Sequence, residues 1–209
     1  MKKLFLAVVL GLLQASTASA DPHFCNATPD AFKVLATLPN GAKDSRDLRT
    51  GSSNLTSESF TLAAGVKQIQ VTILDDMDKP VWKGDAKADG TYLVVSSDKG
   101  PKVIYAGYYG SNDSPRAVVL MNATGEPLTI DLEGNNGVAA SRGIVPGTSF
   151  DIKQAVKLDP RESTYSVKAK HKDGSPIEID GTVGPGRYLL IWKNASGDYH
   201  ATTLGTIKP

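Results

Sequence analysis

VTILDDMDKPVWKGDAKADGTYLVV, residues 71–95, is matched without a gap by VKAKHKDGSPIEIDGTVGPGRYLLI, residues 167–191. Val71 aligns with Val167, Pro80 with Pro176, Gly90 with Gly186, and Tyr92-Leu93 with Tyr188-Leu189. Each segment is an alternating apolar run, a polar turn ending in Pro, a short run, a Gly turn and a dense apolar run. That punctuation reads as strand, turn, strand, turn, strand. The same spacing of 96 residues relates Asn26-Ala27-Thr28 to Asn122-Ala123-Thr124, Asn40-Gly41 to Asn136-Gly137, Ser45-Arg46 to Ser141-Arg142, and Leu62 to Leu158. A constant offset of this length is a domain length, far too long for a solenoid repeat.

Further strand signals agree with this reading. Phe32 and Val34 alternate, as do Leu128, Ile130 and Leu132. Phe60 and Leu62 alternate, matched by Val156 and Leu158. Ala117 to Met121 is a short apolar run, and residues 21–31 read as a lead-in. The last hairpin is Tyr92–Val95, a turn at Ser96 to Gly100, then Val103–Tyr105; its counterpart turns at Lys193 to Gly197. No helical apolar period stands out after the N-terminal segment. The expectation is all-β: two tandem duplicated β-sandwich domains, Ig-like or cupredoxin-like, over residues 21–109 and 116–209. A small polar linker, Gly110-Ser111-Asn112-Asp113-Ser114-Pro115, joins them.

Met1-Lys2-Lys3, an apolar run from Leu4 to Leu13 and Ala18-Ser19-Ala20 form a leader pattern, which predicts a cleaved signal peptide at 1–20. The paired Lys after Met1 is bacterial in style, so the expected location is the periplasm. A ten-residue apolar run is shorter than the ~20 that span a bilayer, and no later stretch is long enough. No transmembrane segment is therefore expected in the mature chain. Removal of Lys2 and Lys3 leaves 21 of the 23 basic residues against 22 acidic ones, a net charge of −1. Such a chain has no long-range field to recruit nucleic acid. Cys25, the one cysteine, cannot form an internal disulfide, so stability must come from apolar cores.

No catalytic constellation is evident. His23 follows Pro22, whose nitrogen has no proton to give up to a metal. A blue-copper site needs two His, a Cys and an axial ligand, and Cys25 with His23 does not supply that set. His171 and His200 read as turn and strand-rim residues. No G-x-S-x-G elbow is present. Asp75-Asp76-Met77-Asp78 lacks the glycine and glutamate of an EF-hand and reads as a hairpin turn. Asn-x-Ser/Thr at Asn26, Asn54, Asn112, Asn122 and Asn194 reads as turn-forming. The chain is expected to be no enzyme and to carry no cofactor or metal.

The aromatic residues are the exception to this bland surface. Trp82 aligns with Glu178, and Tyr105 to Tyr109 align with Ala201 to Gly205. Rings present in one copy only are expected either to seal the junction between domains or to bind a partner. Trp82, Tyr105, Tyr108 and Tyr109 are therefore the candidate partner-binding residues.

Asn-Ala-x after an apolar run, Glu58-Ser59-Phe60-Thr61-Leu62 before a Gly-turned hairpin, and, in the second copy, Val118-Val119-Leu120-Met121-Asn122-Ala123-Thr124, Leu128-Thr129-Ile130, Tyr165-Ser166-Val167 and Gly186-Arg187-Tyr188-Leu189-Leu190 resemble the periplasmic alginate O-acetylation accessory protein family. The resemblance covers nearly all of the mature chain, and its motifs are structural. It implies a non-catalytic periplasmic adaptor in O-acetylation of an exopolysaccharide of the alginate or acetylated-cellulose type. The implied partners are periplasmic and membrane acetyltransferase proteins, with the polysaccharide as a further candidate. The alternative is a carbohydrate-binding or adhesive cell-envelope module unrelated to acetylation.

Overall fold

The computed structural model describes residues 21–52, 54–107, 117–135, 137–147, 156–158 and 162–206. The predicted leader, the linker at 110–115, and Tyr108 and Tyr109 lie outside them. Among the described residues every regular element is a strand, and no helix is long and apolar enough to cross a membrane.

The first half contributes β1 (His23–Ala27), β2 (Phe32–Thr37), β3 (Lys43–Leu48), β4 (Thr56–Ser59), β5 (Gln68–Leu74), β6 (Pro80–Lys87), β7 (Thr91–Ser97) and β8 (Gly100–Gly107). They form two sheets, ordered β3-β2-β5-β6 and β4-β1-β7-β8. The second half contributes β9 (Ala117–Asn122), β10 (Leu128–Gly134), β11 (Gly137–Ile144), β12 (Val156–Lys157), β13 (Tyr165–His171), β14 (Pro176–Ile177), β15 (Thr182–Val183), β16 (Arg187–Lys193) and β17 (Tyr199–Thr206). Their order is β11-β10-β13-β14, with β15 also on β13, and β12-β9-β16-β17. Each half is thus a β-sandwich.

Three apolar cores lie between four sheets. Phe24, Val34, Phe60, Val71, Tyr92 and Val94 belong to the core of the first sandwich. Ile130, Leu132, Tyr165, Val167, Leu189 and Ile191 belong to that of the second. The third core joins the halves: Cys25, Ala27, Leu93, Val95 and Ile104 from one side meet Met121, Ala123, Leu190, Trp192 and Leu204 from the other. The β4-β1-β7-β8 and β12-β9-β16-β17 sheets are therefore inner layers. Their central strands bury both faces, which explains the dense apolar runs Tyr92-Leu93-Val94-Val95 and Leu189-Leu190-Ile191-Trp192. β1, read from sequence as a lead-in, is a central inner strand pairing antiparallel with β4 and parallel with β7. Its five residues are too few to show a pattern, because alternate side chains serve different cores.

The Asn-Ala-Thr present in both halves is a buried clip. Asn26 Nδ2 donates to Asp30 O (2.6 Å) and Leu48 O (3.2 Å), while Asn26 Oδ1 accepts from Thr28 N (3.0 Å) and Thr28 Oγ1 (2.9 Å). Asn122 does the same with Glu126 O (2.6 Å), Ile144 O (3.3 Å), Thr124 N (2.9 Å) and Thr124 Oγ1 (2.7 Å). Each clip ties the end of an inner strand to the start of one outer strand and the end of another through their backbone carbonyls. Full burial also removes both asparagines from any surface role.

Two expectations need correction. Phe60 and Leu62 follow β4 rather than forming a strand, and are buried in the first core as plugs. The gapless alignment also fails in the last hairpin. β2–β5 and β10–β13 share one register, Ala36 opposite Val71 and Leu132 opposite Val167. β7 pairs Phe24 with Tyr92, however, whereas β16 pairs Leu120 with Leu189. Tyr92 therefore corresponds to Leu189, one residue beyond Tyr188. A one-residue slip reverses faces: Tyr92 enters the first core, while Tyr188 packs against the core between halves.

Two stability outcomes follow from this packing. Trp192→Ala, which empties a fully buried site between the halves, should cost about 3–5 kcal/mol in urea unfolding. Burial in the same core pushes the Cys25 thiol up to about 11. Cys25 should thus resist a thiol reagent at pH 8 in the folded protein and react fully in denaturant; rapid labelling without denaturant would contradict this packing.

Candidate functional site

β6 and β8 are edge strands on the same side of the first sandwich, and aromatic rings fill the gap between them. Trp82 on β6 lies 5.7 Å from Tyr92, and Tyr92 lies 5.3 Å from Tyr105 on β8. Phe24 stacks on Tyr92 at 5.2 Å and meets Phe60 edge-on at 5.8 Å. The rings thus form a column from the fully buried Phe60 to Tyr105, which is 43% exposed. Glycine makes room for it: a Cβ on Gly90 would stand 2.8 Å from the Tyr92 ring and 2.9 Å from the Tyr105 ring. Lys87 N donates to Tyr92 Oη (2.7 Å), and Lys87 Nζ lies 5.4 Å from the Tyr105 ring centre. Burial pushes the Tyr92 hydroxyl up, outweighing the lowering effect of the Lys87 hydrogen bond.

Trp82 and Tyr105 therefore flank Tyr92 in one ledge. The ledge packs on the first core and not on the core between the halves, so these rings do not seal the junction. Their counterparts also differ from those of the gapless alignment. Trp82 opposes Ile73 as Ile177 opposes Ala169. Tyr105 opposes Tyr92 as Thr203 opposes Leu189. Neither counterpart is aromatic.

The second half carries a cluster that sequence reading missed. Glu126 follows the Asn122 clip, His171 ends β13, Lys193 ends β16 and Tyr199 opens β17. Lys193 Nζ lies 2.5 Å from Glu126 Oε1, Tyr199 Oη donates to the same oxygen, and His171 Nδ1 lies 3.2 Å from Glu126 Oε2. Lys193 Nζ also sits 4.5 Å from the Tyr199 ring centre. Burial raises the Glu126 carboxyl, but the bonds from Lys193, Tyr199 and His171 outweigh it and hold it below the usual carboxylate range. The positions corresponding by register in the first half are Asp30, Asp75, Ser96 and Pro101, which cannot build this cluster. The available signal was that loss of correspondence between copies. The four residues are too scattered along the chain for any local motif to show them.

Beside the cluster, a groove of about 550 Å³ runs between β17 and the β14–β15 edge, lined in part by Glu178, Asp180, Asp198 and His200. Asp198 is held by Asn194, whose Nδ2 lies 3.0 Å from Asp198 Oδ2 and whose Oδ1 accepts from Asp198 N (2.9 Å). Asn194 Nδ2 also donates to Ser52 O across the halves (2.8 Å). His23 is exposed at the start of β1, and Cys25, two residues on along the same face, is buried. Among the described residues no three His, Cys, Asp or Glu side chains are grouped to hold a metal ion. The Asp75 turn is a hairpin, with Asp75 Oδ1 accepting from Met77 N (3.1 Å) and Lys79 N (2.8 Å).

The Glu126 carboxylate thus faces three neighbouring donors. The arrangement holds groups in place. No protein-family model matches the chain, and no characterised protein matches it.

The cluster predicts a pH signature. Because the Glu126 carboxyl is lowered on folding, its contribution is present above the ordinary carboxylate value of about 4.3 and lost as pH falls through the lowered value. Lys193 is affected the other way: burial lowers its value, but its bonds to Glu126 and Tyr199 outweigh that and raise it, so its share is lost only in alkali. Glu126→Gln should destabilise by about 1 kcal/mol at pH 7, a modest figure because the site is partly exposed. The difference should nearly vanish at pH 3. Urea midpoints at the two pH values measure it, and an equal difference at both would mean that the charge contributes nothing.

Proposed function

We propose that this protein is a non-catalytic periplasmic adaptor in exopolysaccharide O-acetylation, of the alginate or acetylated-cellulose type, that binds acetyltransferase proteins. The observation that carries the binding part of this reading is the aromatic ledge. Trp82 and Tyr105 present partly exposed rings on the edge strands β6 and β8, on a column anchored in the core. Rings fixed in this way lose little entropy on binding, which is why Trp and Tyr are enriched among the residues that dominate interfaces. The leader pattern supports export. The quoted resemblance supports the acetylation pathway. The engagement of Glu126 by its own neighbours is consistent with binding rather than catalysis.

Deletion of the gene in the producing strain should lower the acetyl content of the polymer while leaving polymer yield intact. Unchanged acetylation would refute the assignment. Tyr105→Ala should weaken binding to the cognate periplasmic acetyltransferase by about 2 kcal/mol if the ring is a hot spot, with a stability loss of about 1 kcal/mol or less. Unaltered binding with a large drop in melting temperature would reduce the ledge to a packing element.

A further inference from the structure

We propose that β17 is a pairing edge that takes up an extended, basic segment of a partner protein as an added β-strand. A strand at a sheet edge presents unpaired N–H and C=O groups, and proteins blunt such edges with shortness, charge, proline or irregular register. Among the described residues every other edge of the four sheets is blunted in one of these ways. β4, β12, β14 and β15 have four residues or fewer. β3 carries four charges in six residues, and β6 carries Pro80 with Lys83, Asp85 and Lys87. β11 holds Arg142 and pairs with β10 in broken register. β8 carries Pro101 and Lys102. β17 runs for eight residues, Tyr-His-Ala-Thr-Thr-Leu-Gly-Thr, with no proline, lysine, arginine or carboxylate. Its one break in register, at Gly205, lies towards its far end.

The ladder shows which backbone groups are open. Asn194 N donates to Asp198 O (3.1 Å) at the head of the hairpin, so the bonded pairs alternate from there through Trp192–His200 and Leu190–Thr202. Tyr199, Ala201 and Thr203 therefore point their N–H and C=O groups away from β16, and no other strand pairs with them. In the first half Pro101 stands in the register position of Tyr199, where it removes a donor from the edge. The neighbouring chain at Gly181 and Thr182 does not close the edge of β17. Gly181 O accepts from Val167 N (3.0 Å), and Thr182 O accepts from the Thr203 side chain rather than its backbone.

Backbone pairing supplies the bonds, as in other cases of strand addition, and the flank sets the charge of the partner. Beside Tyr199 and His200 the groove is bordered by Glu178, Asp180 and Asp198, all exposed. Lys193 does not offset them, because Glu126 engages it. An added strand sends alternate side chains to one face, so Lys or Arg at every second position would meet this border with complementary charge. A second copy of β17 offers no such charge and brings its own carboxylates. The surface belongs to the second half, apart from the aromatic ledge. It does not rest on the acetylation reading: peptide binding with no effect on acetylation would leave it intact.

The test is fluorescence-anisotropy titration of the purified protein with the peptide Thr-Lys-Thr-Lys-Val-Lys-Thr-Lys and with its counterpart carrying Glu for Lys. The Lys peptide should bind more tightly by about tenfold or more. Glu178→Gln with Asp180→Gln should erase that preference at unchanged melting temperature. N-methylation of the Lys residues and of the Thr and Val residues blocks opposite edges of the peptide. One pattern should abolish binding and the other spare it, because only one edge meets β17. Amide exchange at Ala201 and Thr203 should slow when the peptide is bound. No binding of the Lys peptide, equal affinity for the Glu peptide, equal loss from both methylation patterns, unchanged exchange at Ala201 and Thr203, or self-association through β17 that excludes the peptide would each overturn the proposal.

Discussion

The structure depends on strands that bury both of their faces. In β7, Tyr92 and Val94 enter the first sandwich while Leu93 and Val95 enter the core between the halves. In β16, Leu189 and Ile191 face the second sandwich while Leu190 and Trp192 face that same middle core. Removing a side chain of this size from water is worth about 1.5–3 kcal/mol. The middle core therefore cannot be left uncovered without a large cost, and the halves are held as one stack. Polar contacts at its rim fix the alignment. Lys102 Nζ reaches Gly147 O (3.4 Å), Asn194 reaches Ser52 O, and Ser96 pairs with Thr124. Gly147 is required there twice over, by its positive φ of 65° and because a Cβ would stand 2.7 Å from Ser97 Cβ.

Much of this was legible in the sequence. The strand-turn-strand pattern of 71–95 appears as β5, β6 and β7 with the turns where Asp75 and Gly90 indicated. The recurring Asn-Ala-Thr marked a strand end, and the structure gives the reason, a side-chain clip that only an amide with both donor and acceptor can make. β3 and β11 were not legible. Lys43–Leu48 is largely charged and Gly137–Ile144 is rich in small residues, because both lie at sheet edges where only one flank needs an apolar partner.

The slip in the last hairpin was hidden for a different reason. Tyr-Leu-Val-Val and Tyr-Leu-Leu-Ile-Trp are apolar at every position, so sliding one along the other by a residue leaves the hydrophobic pattern unchanged. Alternation normally fixes which face points inward, but a strand buried on both faces carries no alternation. Only pairing with β1 and β9 decides the register. The candidate sites show the same limit. Trp82 and Tyr105 were found because aromatic residues stand out singly. Glu126, His171, Lys193 and Tyr199 are unremarkable one by one and acquire meaning only when three strands and a turn bring them together.

The two halves treat one position of the fold in opposite ways. Beside β8 the edge is filled: Trp82 lies against Gly84, where a Cβ would be 2.7 Å from the indole, and the ring column leaves Tyr105 as an outward knob. Beside β17 the edge is opened: Ile177 replaces the indole, Thr203 takes the place of Tyr105 and bonds to Thr182 O (2.9 Å), and the broken strand leaves a polar groove. A knob and a groove thus arise from one topology by exchanging two rings and interrupting one strand. The middle core couples the halves without a hinge among the described strands, so the separation of these two surfaces is set by packing.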